Sequence, residues 1–264
     1  MSGHAGVQTR GRADIFDAMT SQAYRDPRLA ALYDALNPPD ASDAFYLGLA
    51  KGERKRILDI GCGTGRLAVD FASQGHLVTA ADPAEGMLAM ARARPGGELV
   101  DWVGRDAGGL ALEGVFDLVV MTGHVFQVFP DDTAMVDALA AARHHLAPGG
   151  LFAFDTRNPA ARAWEGWTTD ATATEIAVPG IGQIRVAYDV RAVAGEHITY
   201  VTIFDFGDGD RLEVPDRLRF VDRSRLEILL GRAGLSAVHC FGDWDRTPFH
   251  AGSREIIMLA AARA

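Results

Sequence analysis

Cysteine is scarce in this chain: Cys62 and Cys240 are the only two in 264 residues. Two thiols are too few for a disulfide framework and fit a reducing compartment. Positive charge is also short. A formal net charge of -9 argues against a polyanionic partner, because nucleic-acid binding leans on clustered Lys and Arg. The basic stretch Lys51-Gly-Glu-Arg-Lys-Arg56 is brief and reads as a solvated edge before a strand. The sequence has no apolar run of about 18 residues and no charged-then-apolar signal at the N-terminus, so a soluble, cytoplasmic protein without a membrane partner is expected. The histidines show no metal-ligand spacing, so no metal is expected. What remains is ordinary: 48% hydrophobic and 23% charged residues, enough for one full core with a lid or small subdomain.

Against that background one segment stands out, Ile57-Leu-Asp-Ile-Gly-Cys-Gly-Thr-Gly-Arg66. Ile57, Leu58 and Ile60 form an apolar run that reads as a strand buried on both faces. The chain then turns through Gly61, Gly63 and Gly65, where no side chain hinders approach to a ligand. Arg66 to Ala72 has helical spacing, so the turn opens onto a helix N-terminus, a natural place for an anionic group. A nucleotide-like ligand at the carboxyl end of a parallel strand follows. Dinucleotide turns carry glycine or alanine at the last position of G-x-G-x-x-G; counted from Gly61, that position is Arg66. Cys62, inside the turn with no histidine near it in sequence, reads as a small residue beside the ligand rather than a nucleophile.

Downstream, strands and helices alternate. The periodicity predicts a strand over 77–81, a helix over 85–94, and strands over 99–103 and 116–121. A helix over 133–146 and a strand over 151–154 follow. Upstream, Ile15, Phe16 and Met19, then Leu29, Leu32, Tyr33 and Leu36, suggest amphipathic helices broken near Asp26-Pro27, and a helix resumes over 44–50. After Asp155 the texture changes to β-branched segments over 176–178, 183–193, 197–206 and 211–220, split by glycine turns. A helix over 224–233 and strands over 236–241 and 255–260 finish the chain. The expected fold is α/β: a Rossmann-like doubly wound seven-stranded sheet with an antiparallel β insertion, a lid, after strand five.

Gly61-Cys-Gly-Thr-Gly65 is the G-x-G-x-G form, and with it the chain resembles the class I S-adenosylmethionine-dependent methyltransferases over roughly 44–160 and 222–262. The resemblance implies a helical cap at 1–43, a cofactor-binding domain at 44–159 and 221–264, and an acceptor lid at 160–220. It places S-adenosylmethionine, leaving as S-adenosylhomocysteine, against Asp59, Gly61, Cys62 and Gly63. Asp82, followed by Pro83, matches the acidic residue at the end of strand two that binds both ribose hydroxyls; a carboxylate offers two acceptors to two donors. Asp82 also fits a plain helix N-cap. Met87 flanks the adenine or is simply core, Asp106 and the Ala107 amide match the adenine station, and Thr122 and Gly123 pass the methionine moiety. Tyr33 sits where N-terminal helices of this family close over the cofactor.

His124 lies where methyl group and acceptor should meet, and the ordinary titration range of histidine suits removal of a proton from a hydroxyl or ammonium. The rival role is a backbone cap at a strand end. Arg157 and Asn158, after strand five on the same sheet edge, are the candidate substrate residues; Arg157 can grip an acidic group bidentately or pair with a surface carboxylate. Trp164 and Trp167 either wall a pocket or pin the insertion. These residues imply in-line methyl transfer to an N or O atom of a partly apolar small molecule, in secondary metabolism. The sequence also admits a homodimer, a regulatory S-adenosylmethionine-binding protein, or an NAD-dependent oxidoreductase.

Overall fold

The computed structural model describes residues 27–178, 180–206 and 209–263. The expected helical pattern at Ile15, Phe16 and Met19 lies outside the described residues. Helix α1 (Pro27–Leu36) starts with proline in its first turn, where the missing N–H costs nothing. Helix α2 (Ala41–Ala50) carries a capping box between Asp40 and Asp43, and so begins earlier than its apolar pattern.

Strands β1 (Arg56–Ile60), β2 (Leu77–Ala81), β3 (Val100–Val103), β4 (Phe116–Met121) and β5 (Leu146–Arg157) alternate with helices α3 (Arg66–Ser73), α4 (Glu85–Ala93) and α5 (Asp132–His144). A short helix α6 (Thr169–Thr172) precedes strands β6 (Thr174–Val178), β7 (Gly182–Ala194), β8 (His197–Asp205) and β9 (Arg211–Arg219). Helix α7 (Arg223–Arg232) and strands β10 (Leu235–Phe241) and β11 (Glu255–Ala262) complete the chain. The large sheet has seven strands in the order β10-β11-β5-β4-β1-β2-β3. Strands β1 to β5 run parallel; β11 is antiparallel to β5, and β10, antiparallel to β11, points the same way as β1 to β5. The order reverses between β1 and β4, which opens a crevice at their carboxyl ends.

Both faces of this sheet are covered, so its strands read as apolar runs rather than alternations. Leu58, Ile60, Val119 and Met121 face α5 and α7; Ile57, Leu118 and Val120 face α2 and α3. Strand β5 is longer than its apolar stretch predicts. It starts at Leu146, and the register slips between the pairs Phe116–Leu146 and Leu118–Leu151. Pro148-Gly149-Gly150 is thus a bulge within the strand rather than a break after a helix.

The insertion forms a separate four-stranded antiparallel sheet, β6-β7-β8-β9. One part packs on Leu29 and Leu32 of α1; another is pinned by Trp164 and Trp167 against Phe220. Arg219 at the end of β9 is nearly buried and pairs with Asp132 at 2.8 Å and Glu196 at 2.6 Å. The ring of His197 bonds the Pro130 carbonyl at 2.9 Å. These contacts hold the base of the second sheet to the start of α5.

Candidate active site

At the carboxyl end of β1 the chain turns through three left-handed glycines, with φ of 77° at Gly61, 54° at Gly63 and 75° at Gly65. A Cβ on Gly61 would lie 2.8 Å from Val125, and one on Gly65 would lie 2.3 Å from Trp102. Both positions therefore require glycine twice over, by torsion and by space. Gly63 differs: its nearest neighbour is the Tyr33 ring, 3.9 Å from where a Cβ would stand. The turn is closed on its flanks and open toward Tyr33.

Beneath it lie two buried carboxylates. Asp82 accepts from the Gly63 amide at 2.9 Å and the Ala84 amide at 2.8 Å, so it braces the turn and the entry to α4 together. Burial still raises its pKa, although those two amides oppose the rise. Asp59 is almost fully enclosed, and its Oδ1 has no hydrogen-bond partner. Burial, then the charge of Asp82, pushes its carboxyl up to about 7. Such a group calls for a cation or donor, whereas the pyrophosphate of a dinucleotide would meet repulsion here. The residues fit S-adenosylmethionine, whose ammonium and sulfonium are positive.

The other expected cofactor residues gather around this turn with unequal exposure. Met87 is buried in α4 and packs with Tyr33, Ala84 and Met90; its contact with the site runs through Tyr33. Pro83 is exposed. Asp106 is partly buried and caps the turn Ala107–Gly109 through Oδ1, 2.7 Å from the Gly109 amide, leaving Oδ2 without that duty. Cys62 is partly buried, and desolvation followed by the charges of Asp59 and Asp82 holds its thiol well above its usual pKa, which removes it as a nucleophile.

Across the crevice, Thr122 and Gly123 leave β4, and His124 adopts φ 61°. Two contacts hold that conformation. The His124 amide donates to Asp155 Oδ2 at 2.8 Å, and its Nε2 stands 2.9 Å from Glu255 Oε2. Asp155, fully buried at the end of β5, takes a further bond of 2.5 Å from the Tyr46 hydroxyl. His124 heads the turn Val125–Val128 but makes no side-chain cap there, so the capping role is not the one it plays. Arg157 is no surface partner either. It donates to Gln127 Oε1 at 2.8 Å and lies over the Trp167 ring. Asn158, expected at the substrate, is corrected. It is buried, donates to the Ala251 and Ser253 carbonyls, and accepts from the Ala160 amide, so its side chain fixes the loop before β11.

Between α1, the 123–128 turn and the second sheet lies a cavity of about 300 Å³. Tyr33 and Val125 line its wall and also lie beside Gly63 and Gly61 of the glycine turn, so the two spaces adjoin.

A family model described as a methyltransferase domain matches residues 57–150. The chain is similar to the cypemycin N-terminal methyltransferase of a Streptomyces species, 24% identical over 78% of this chain and 82% of that protein. It superposes on the CcbJ methyltransferase from Streptomyces caelestis with a TM-score of 0.75 at 27% identity, covering 92% of this chain and 98% of that one. Residues 57–150 are a methyltransferase domain, and the fold around them is that of the class I S-adenosylmethionine-dependent methyltransferases. The methyltransferase shares its fold with the S-adenosylmethionine-bound amino pentose methyltransferase CalS10 from Micromonospora echinaspora, with a TM-score of 0.63 at 22% identity over 88% of this chain and 97% of that one. It spans less than half the length of several other curated relatives that it matches.

Four polar residues around the candidate site were not singled out by sequence reading: Tyr46, Gln127, Glu255 and Asp216. Glu255 opens an antiparallel strand paired with β5, opposite Arg157, and only that strand's direction brings it to the His124 edge. Asp216 did carry a signal. It falls between the buried Val214 and Leu218, so alternation puts a carboxylate on an apolar face.

Proposed function

We propose that the enzyme methylates a nitrogen or oxygen atom of a compact small molecule in secondary metabolism, with nitrogen favoured. The observation carrying this reading is the cavity that adjoins the glycine turn at Tyr33 and Val125 and ends on Gly123 and His124. Its volume of about 300 Å³ suits a small ligand rather than a nucleic acid, as does the acidic balance of the chain. The similarity to the cypemycin N-terminal methyltransferase of a Streptomyces species supports nitrogen and the setting.

S-adenosylmethionine supplies, when bound, a methyl group already activated on its sulfonium. Asp59 and Asp82 would hold the cofactor's donors, Asp106 and the Ala107 amide its base, and Tyr33 would cover it. The remaining task is positioning and exclusion of water. His124 takes the proton that the acceptor atom must lose. Glu255 fixes the orientation of the ring, and Asp155 fixes its backbone. The second sheet serves as the lid, with Tyr188, Tyr200 and Phe204 on its inner face.

Incubation with labelled S-adenosylmethionine and a panel of amines, phenols and carboxylates tests the activity. With an accepted compound, His124→Asn is expected to lower turnover by about a hundredfold or more, with cofactor affinity within a few-fold of wild type. Unchanged turnover would remove His124 from the mechanism.

A further inference from the structure

The acceptor cavity contains two opposite charges that do not neutralise each other. Arg157 enters from the end of β5. Gln127 holds one edge of its guanidinium at 2.8 Å, and the Trp167 ring covers its flat side, 5.4 Å from the guanidinium carbon. Both of these partners are neutral; the carboxylates of Glu255, opposite it on β11, and of Asp155 act on it only from beyond ion-pair distance. Asp216 enters from β9 and accepts from the Arg217 amide at 2.7 Å and, at 3.4 Å, from the Tyr200 hydroxyl. Those partners are neutral as well. Among the described residues neither Arg157 nor Asp216 makes an ion pair, although both line one cavity.

Their placement is a product of the two sheets. Tyr200, Thr202 and Phe204 on β8, and Val214, Asp216 and Leu218 on β9, all face the cavity at period two. The Tyr200 ring stands 5.2 Å from Trp167, so an aromatic pair joins the cationic corner to the anionic one. The cavity has a third corner at Gly123 and His124.

Taking an unpaired charge out of water is unfavourable. Here burial depresses the Arg157 pKa and raises that of Asp216, and a ligand of opposite charge reverses each effect. Were the two residues structural, a direct ion pair would relieve both. They are instead kept apart across an aromatic wall, each with a neutral escort that fixes its direction. On the reading that this cavity receives the methyl acceptor, we propose that the acceptor is a zwitterion. Its anionic group, a carboxylate or equivalent, pairs with Arg157, and its cationic group pairs with Asp216. The body of the molecule lies along Trp167 and Tyr200, and the atom to be methylated reaches the His124 corner. Arg157 and Asp216 are then the residues that set specificity, by leaving an unpaired charge against any acceptor that lacks either group.

Calorimetry on the full chain with S-adenosylhomocysteine bound tests this without the natural acceptor. The probes are 4-(aminomethyl)benzoate, its methyl ester and 4-methylbenzoate. The zwitterion is expected to bind at least tenfold tighter than either relative. Arg157→Gln should abolish the preference for acid over ester, and Asp216→Asn the preference for the aminomethyl over the methyl compound. A shared loss of packing would weaken all three probes equally and leave both preferences intact. If the zwitterion binds no better than the ester or the methyl compound, or if no probe binds a protein that still holds S-adenosylhomocysteine, the proposal is overturned. If S-adenosylhomocysteine itself does not bind, the methyltransferase reading beneath it falls instead. The wild-type comparison stands even where a variant fails to fold.

Discussion

Asp59 is costly to the protein alone and useful with a cationic ligand, and the two effects have opposite signs in experiment. Its folded-state pKa is raised from 3.8 to about 7. The contribution of this group to stability is therefore full below about pH 4 and is lost as pH rises through about 7. The loss is at most roughly 4 kcal/mol. Asp59→Asn should accordingly raise the denaturation midpoint of the free protein at pH 8 while weakening S-adenosylhomocysteine tenfold or more; a midpoint that falls instead would show a structural carboxylate. Binding should also release close to one proton at pH 6 and almost none at pH 9, which calorimetry in buffers of different ionisation enthalpy reads directly. The neighbouring glycines are sharper still. Gly61→Ala drives a methyl into Val125 at an already left-handed φ, so a stability loss of about 1–3 kcal/mol is expected together with lost cofactor binding. The sequence marked these residues because a glycine-rich turn and a carboxylate near a strand end are local signals. Asn158 misled because adjacency to Arg157 says nothing about which side of the chain it faces.

At the level of elements, α1 is the piece whose mobility should govern access. It packs through Leu29 and Leu32 on the second sheet and through Tyr33 on α4. Its polar tie is compact: Asp34 accepts from the Thr64 hydroxyl at 2.6 Å and pairs with Arg94, which also donates to the Thr64 carbonyl at 3.0 Å. Helix α1 is thus fastened to the glycine turn itself. The Arg94–Asp34 pair is part-exposed and contributes little to global stability. Arg94→Ala is expected to shift the melting midpoint slightly but to speed dissociation of S-adenosylhomocysteine about two- to fivefold in stopped-flow displacement. An unchanged rate would mean that α1 does not gate the site. Element existence was legible from periodicity in the sheet and insertion alike. Element ends were less so, since capping by Asp40 and the bulge at 147–150 extend α2 and β5 beyond their apolar patterns.

Across the whole molecule, the site exists only where two sheets are held in one arrangement, and Arg219 is the main polar fastening. Arg219→Met removes a buried cation that serves both Asp132 and Glu196. A loss of about 1–2 kcal/mol in urea denaturation is expected, because Asp132 keeps Arg225 and Glu196 is half exposed; a change under about 0.5 kcal/mol would show that the apolar contacts of Trp164 and Trp167 suffice. What the sequence determined by itself was the half of the site built from consecutive residues. The glycine turn, Asp59, Asp82 and the strand ends sit at fixed positions along repeated strand–helix units, and parallel strands bring their carboxyl ends to one edge whatever the rest of the chain does. Only the tertiary structure decided the half proposed to receive the acceptor. Asp155 and Glu255 reach His124 from β5 and from an antiparallel strand at the far end of the chain, and Tyr46 of α2 reaches Asp155. Asp216 faces Arg157 across a cavity because two separately formed sheets meet there. Those encounters depend on strand direction and on packing between distant segments, which no local pattern encodes.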